Sequence, residues 1–276
     1  MPELPEVETI ARGLNTRVAG DTIESVWIGS KPEVLKSPAK KIAGMLEGRR
    51  IEQVRRVGKH IVVDLDGDGR KRAKALAQAR PQWIVHLGMT GRLLISRQED
   101  EIEKHTHLVA KLASGRELRY VDPRRFGRLS VTSGFEAPGA EPLKIDLESF
   151  IKLFRGRKTP IKSALLNQSL LSGVGNIYAD EALFRSGIRP RRRAASLTRD
   201  DLSRLHKALR EVLKEAIRMG GSSISDYVDS NGDEGFFQLQ HRVYGREGEP
   251  CLICKTPVKR LVIAGRSAHY CRKCQK

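Results

Sequence analysis

Cys251, Cys254, Cys271 and Cys274 form two C-x2-C pairs with sixteen residues between them. That is the spacing of a four-thiolate zinc ribbon: each pair fits a tight knuckle, and the four sulfurs surround a tetrahedral cation without needing a large core. Disulfides or a redox pair are the competing readings, which a reducing compartment disfavours. With all four ligands supplied by protein, no coordination position is left open, so the metal expected here is one structural Zn2+ that folds the tail and takes no part in catalysis. Lys259, Arg260 and Arg266 lie between the knuckles. They read either as ordinary surface charge or as a finger pressed against a polyanion.

A second constellation stands at the other end. Pro2 follows Met1, and a small second residue permits removal of the methionine, which exposes a secondary amine. Many chains begin Met-Pro, so Pro2 alone means little. Its neighbourhood adds weight, because Glu3 and Glu6 precede a helix that holds them beside the amine. A secondary amine attacking the C1′ of a deoxyribose makes a permanently cationic iminium, an electron sink for elimination at the neighbouring sugar carbons. Such chemistry needs an acid to open the sugar ring, a role open to Glu3. The residues permit this mechanism without singling it out.

The elements that must position these groups follow from periodicity. Pro5 suits a first helical turn, Glu6 and Glu8 suit the positive end of the dipole, and Val7, Ile10, Leu14 and Val18 make one apolar stripe. Gly20 ends this helix. Short β-rich runs then replace it up to about Thr132, among them Thr22–Ile28, Ile61–Leu65, Trp83–Leu87 and Glu117–Val121, with Ser114-Gly115 as a hairpin turn. The segment Asp66 to Arg80, Gly-rich and then basic, interrupts two strands and reads as an exposed loop or short helix. After the Gly/Pro/Glu-rich stretch from Gly134 to Pro142 the period becomes helical. Helices are expected over Ile161–Gln168 and Asn176–Ser186, separated by the tight Leu171–Gly175 connection. A longer helix follows Thr198, with a capping box at Thr198-Arg-Asp-Asp201 and an apolar face of Leu202, Leu205, Leu209, Val212, Ala216 and Ile217, stopped by Gly220-Gly221.

The expected fold class is therefore α+β: an N-terminal antiparallel β-sandwich flanked by helices, then a helical domain, then a cysteine-held hairpin. The expected boundaries are 1–133 for the sandwich, 134–146 for a linker, 147–238 for the helical domain and 239–276 for the zinc finger. Across the 276 residues, 51 Lys and Arg oppose 33 Asp and Glu, a formal net charge of +18. A polyanion is the natural partner. A membrane is the competing one, yet no stretch approaches the roughly 20 apolar residues of a span. Glu3, Glu6 and Glu8 near the start also argue against a signal peptide. The chain reads as a cytoplasmic monomer that binds nucleic acid.

Six segments in order carry a resemblance: Met1–Thr9 (MPELPEVET), His86–Gly91 (HLGMTG), Asp122–Gly127 (DPRRFG), Gly173–Glu181 (GVGNIYADE), Val243–Cys251 (VYGREGEPC) and Tyr270–Cys274 (YCRKC). Spanning essentially the whole chain, they resemble formamidopyrimidine-DNA glycosylase, in the wider bacterial family that includes endonuclease VIII. The resemblance implies a helix–two-turn–helix domain and a bifunctional glycosylase and β,δ-lyase that excises 8-oxoguanine and formamidopyrimidines from damaged double-stranded DNA. It makes Pro2 the Schiff-base nucleophile and Glu3 the general acid. Lys59, in Arg55–Lys59 (RRVGK), becomes the proton donor for β-elimination, and Arg266 the zinc-finger arginine of δ-elimination.

By the same resemblance Met89, Arg124 and Phe126 fill the gap left by a flipped nucleotide, His105, Arg124 and Lys158 bind DNA, and the loop from Ser222 to Gln238 covers the flipped base. Asn176 starts a helix whose N-terminus suits a phosphate and which an Asn can cap. Each residue also has a plainer reading: Lys59 as a surface lysine, Met89 and Phe126 as core, Arg124-Arg125 as partners of Asp122. An endonuclease VIII-like enzyme for oxidised pyrimidines and a non-catalytic zinc-containing DNA-binding protein are the alternatives.

Overall fold

The computed structural model describes residues 1–67, 80–223 and 228–276. The loop or helix expected at Asp66 to Arg80 thus falls largely outside the described residues. The chain forms two compact units, Met1–Glu136 with Ser222–Gly235, and Ala137–Gly221 with Phe236–Lys276.

The first unit opens with helix α1 (Leu4–Val18), whose stripe Val7, Ile10, Leu14 and Val18 is buried. Two four-stranded sheets follow. One orders β1 (Ile23–Ile28), β6 (Thr106–Leu112), β7 (Arg116–Val121) and β5 (Arg92–Arg97) as β1-β6-β7-β5. The other orders β2 (Ile51–Val57), β3 (His60–Leu65), β4 (Pro81–His86) and β8 (Arg128–Ser133) as β2-β3-β4-β8. Every pairing is antiparallel, and residues of both sheets share one apolar core around Trp83, Leu93, Leu118 and Val131. This is the expected sandwich. Helix α1 packs on β2 and β3, and α2 (Ala39–Leu46) packs on β1, β4 and β8, so β3 and β4 are buried along nearly their whole length. Each fully buried Leu or Val of this core stabilises the fold by about 1.5–3 kcal/mol.

The second unit holds α3 (Leu147–Phe154), α4 (Ile161–Leu166), α5 (Asn176–Ser186) and α6 (Arg199–Arg218). Helix α5 is buried on almost every side because α4, α6 and strand β10 (Arg266–Tyr270) all pack on it. Thr198 and Asp201 form the expected capping box of α6, and Gly220 and Gly221, at φ of 74° and 83°, end its run. Of its apolar face, Ile217 is only half-buried while Leu213 is buried. The tail is a hairpin of β9 (Lys259–Ile263) and β10. Its turn residues Ala264 and Gly265 both have positive φ, 46° and 74°, as a type I′ turn requires.

Candidate active site and zinc tail

At the start of the first unit Glu3 is the N-cap of α1. Its backbone N–H donates to Glu6 Oε2 at 2.8 Å, and Glu6 Oε1 accepts from Ser222 N at 2.8 Å. Glu3 and Glu6 are 4% and 2% exposed, whereas Pro2 is half-buried and Met1 exposed. The capping arrangement therefore fixes a buried carboxylate one residue from the Pro2 nitrogen, and ties the first turn to the beginning of the 222–235 segment.

Lys59 sits in the two-residue turn of the β2–β3 hairpin, after Gly58 at φ 61°. Helix α1 holds this hairpin through a chain of contacts. Arg56 Nε donates to Glu8 Oε2 at 2.7 Å, and Arg56 Nη1 donates to the Gly58 carbonyl at 3.2 Å. Burial works against the ionisation of Glu8, but the Arg56 and Arg12 guanidiniums outweigh it and hold its carboxyl below the usual range. His86 closes the far end of β4. Burial, with His60, Lys59 and Arg128 nearby, lowers its pKa to about 4, and its Nδ1 accepts from Gly88 N at 3.1 Å. A neutral imidazole thus stands beside the positive turn.

Met89 and Phe126 are 42% and 48% exposed, which rules out the core reading of both. The Arg124 guanidinium lies 4.8 Å from the centroid of the Phe126 ring, a cation–π contact. Neither arginine of Asp122-Pro-Arg-Arg takes up the Asp122 carboxylate. Arg125 pairs instead with Glu33 at 2.6 Å, and Asp122 bonds to Thr90, Gly127 and Tyr120. His105 is exposed in a turn at φ 72°, while His107 is buried with Nε2 at 3.0 Å from the Asp122 carbonyl.

In the second unit Lys158 is exposed in the loop between α3 and α4. Asn176 corrects an expectation: the N-cap of α5 is Gly175, and Asn176 is the first helical residue. Extended backbone at Gly175 (φ −134°, ψ −163°) supplies the cap geometry, which releases the Asn176 side chain to donate to Ser267 Oγ at 3.2 Å. Ser267 follows Arg266, the exposed first residue of β10, so α5 and the hairpin meet where the two predicted residues stand. Beneath them Lys162 and Asp180, both fully buried, pair at 2.6 Å, and Asp180 Oδ2 accepts from His269 N at 2.8 Å. The Glu181 carboxylate accepts the backbone N–H groups of Arg242, Val243 and Tyr244; burial nonetheless pushes its pKa up.

The four cysteine sulfurs lie within 4.8 Å of one another, with Cys251 to Cys274 at 3.9 Å and Cys254 to Cys271 at 3.4 Å. Four sulfurs about 2.3 Å from one tetrahedral zinc would stand about 3.8 Å apart. The donor set and its spacing fit one structural Zn2+, with one pair in the turn before β9 and the other in the turn after β10, both at the open end of the hairpin. Hydrogen bonds from Thr256 draw the Cys254 thiol down to about 6, whereas burial pushes Cys271 and Cys274 up.

Three family descriptions match this chain in order: the formamidopyrimidine-DNA glycosylase N-terminal domain over residues 1–129, the formamidopyrimidine-DNA glycosylase H2TH domain over 137–228, and the zinc finger found in FPG and IleRS over 248–276. The chain belongs to the formamidopyrimidine-DNA glycosylase family. It is thereby placed among the DNA-repair glycosylases. It is 43% identical to formamidopyrimidine-DNA glycosylase from Solibacter usitatus, with 100% of both chains covered. Among solved structures it is similar to the MutM (Fpg) protein of Thermus thermophilus, at 42% identity and a TM-score of 0.84 over 99% of this chain and 98% of that one. Wild-type Lactococcus lactis Fpg in complex with DNA containing N7-benzyl-Fapy-dG gives a TM-score of 0.87 at 32% identity, covering 100% of each.

In this glycosylase-family chain the structure gathers the sequence-predicted residues into local sets. Pro2 and Glu3 share the start of α1, Lys59 stands on the hairpin that α1 holds, and Met89, His105, Arg124 and Phe126 occupy adjoining loops. Glu8, Arg56, His86, Lys162, Asp180 and Glu181 were not predicted, because partners brought together from distant parts of a chain leave no periodic signal. Among the described residues no helix is long and apolar enough to cross a membrane.

Proposed function

We propose that this chain excises oxidised purines, 8-oxoguanine and formamidopyrimidines, from double-stranded DNA and then cleaves the strand by β,δ-elimination. The observation that carries this reading is the Pro2–Glu3 pair, with the helix cap and Glu6 holding a buried carboxylate next to the nitrogen that methionine removal frees.

In the proposed sequence the Pro2 nitrogen attacks C1′ of the extruded nucleotide, the C1′–N bond breaks and the base leaves with a proton. Glu3 protonates the ring oxygen O4′ as the sugar opens, which leaves an iminium between Pro2 and C1′. Loss of a C2′ proton expels the 3′ phosphate. Lys59 serves proton transfer in this step, and loss of a C4′ proton then expels the 5′ phosphate, which Arg266 steadies. Water then hydrolyses the iminium and returns Pro2. Met89, Arg124 and Phe126 occupy the gap in the stack; extrusion costs a few kcal/mol that such groups partly restore. His105 and Lys158 meet backbone phosphates, as does the positive end of the α5 dipole at Asn176.

The test is excision from duplexes carrying 8-oxoguanine opposite cytosine or thymine glycol opposite adenine. The purine lesion is expected to be released and the strand cut with phosphate at both ends of the gap. Preferential release of thymine glycol would transfer the chain to pyrimidine chemistry. Binding without cleavage of a natural abasic site would make it a binding protein.

A further inference from the structure

Asp122 is fully buried and is bonded through every polar atom it owns. Oδ1 accepts from Thr90 Oγ1 at 2.7 Å, and Oδ2 accepts from Gly127 N at 2.8 Å and Tyr120 Oη at 3.3 Å. Its backbone N–H donates to the His105 carbonyl at 3.1 Å, and its own carbonyl accepts from Arg125 N at 3.3 Å and meets His107 Nε2 at 3.0 Å. One residue thus reaches three loops: the turn bearing Met89, the turn bearing His105 and the loop bearing Arg124 and Phe126.

Two further observations show that these loops are held rather than merely adjacent. A Cβ on Gly88 would lie 2.5 Å from the Phe126 carbonyl carbon and the Gly127 nitrogen, and one on Gly127 would lie 1.6 Å from Tyr120 Oη. The Gly88 and Phe126-Gly127 backbones thus pass too close for a side chain between them, and the Tyr120 hydroxyl fills the space beside Gly127. His105 and Arg125 also adopt left-handed φ of 72° and 57°, conformations that persist in non-glycine residues only where the surroundings over-determine them. Both are bonded directly to Asp122.

A buried carboxylate is costly unless its oxygens are satisfied. Here, among the described residues, two hydroxyls and one amide satisfy it, although two arginines follow within three positions. That division leaves the Arg124 guanidinium stacked on Phe126 at the surface.

We propose that Asp122 is a positioning residue that fixes Met89, Arg124 and Phe126 as one preformed set, so that the side chains replacing an extruded nucleotide are in place before DNA arrives. The proposal rests on the function proposed above. It separates substrates by whether a base must be extruded: a lesion paired in a duplex needs the set, and an abasic site in a single strand does not.

The experiment compares single-turnover excision of 8-oxoguanine from a duplex with cleavage of a single-stranded abasic oligonucleotide, for wild type, Asp122→Ala, Asp122→Asn and Thr90→Val. Asp122→Ala is expected to slow the duplex reaction by about tenfold or more and the single-strand reaction by less than about threefold. Thr90→Val, which deletes one hydroxyl and keeps the shape, shifts rates in the same direction by less, and carries the test even if Asp122→Ala does not fold. Asp122→Asn stays nearest to wild type, since its oxygen can face Gly127 N–H while the Thr90 hydroxyl rotates to accept from the amide. Equal slowing on both substrates, or none on either, overturns the proposal. A wild-type chain inactive on both substrates overturns the function on which it rests, and the proposal with it.

Discussion

In the first unit the residues proposed to meet DNA stand on turns and loops anchored by buried carboxylates, Glu6 under the first turn of α1 and Asp122 under three loops. In the second, Arg266 stands on a two-stranded hairpin anchored by four thiols at its base and by the buried Lys162–Asp180 pair beneath β10. The difference reflects core size. The sandwich buries enough apolar surface to support irregular loops, whereas the apolar cluster around the cysteines comprises, among the described residues, Phe184, Val243, Cys251, Val258 and Cys271, with Cys254 and Cys274 packed against it. A segment with so small a core needs a metal to fold.

Removing the metal should therefore have the largest effect, and confine it to the second unit. Chelation, or Cys271→Ser, is expected to unfold residues 248–276 while the sandwich amides stay protected, since structural zinc sites contribute about 10–16 kcal/mol at neutral pH. Hydrogen exchange read by region checks this, and loss of protection in β3 and β4 would contradict it. DNA affinity should fall in the same step.

The next largest effect belongs to the first unit alone. Glu3→Gln is expected to slow base excision by about 10²-fold or more, the usual worth of a positioned general acid, with the zinc content unchanged. Wild-type excision rates in this variant would remove Glu3 from the mechanism.

Lys162→Met strands a buried carboxylate in the second unit and should cost about 3–5 kcal/mol, whereas replacing Lys162 and Asp180 together by apolar residues should cost less. Denaturant unfolding of the single and double variants measures the difference. Equal costs would mean that the pair adds nothing beyond packing.

The smallest effect is with pH. His86 in the first unit and His241 in the second are each lowered by burial from 6.5 to about 4. The unfolded chain then binds more protons than the folded one between about pH 6.5 and pH 4. Stability should be flat above that window and decline through it as pH falls. His86→Gln should flatten the decline in the first unit and His241→Gln in the second. A slope unchanged in both variants would show that other groups set it.

Much of this was legible in the sequence. The α1 stripe repeats with the helical period, so its four apolar residues are buried as expected, and the cysteine spacing carried the metal site unaided. Strand β2 (IEQVRRV) was harder to read, because its arginines tolerate a half-buried strand only through Asp64 and Glu8, which pair with Arg55 and Arg56. Helix α5 starts at Asn176 as expected, but its cap is Gly175, whose extended backbone supplies the cap geometry expected of the Asn. Asp122 read as a partner for Arg124 and Arg125. Nothing in DPRRFG reveals that Thr90 and Gly127 take its oxygens, since that depends on how two distant loops fold against each other.

In the proposed reaction the Pro2 nitrogen forms the bond to C1′. Borohydride reduction during reaction with 8-oxoguanine duplex, followed by mass analysis of the N-terminal peptide, identifies the bonded atom. The chain lacking Met1 should give a DNA adduct located on Pro2, and a chain that retains Met1, whose Pro2 nitrogen is an amide, should give none. Absence of an adduct with the correctly processed chain, or an adduct on a lysine, would contradict the account.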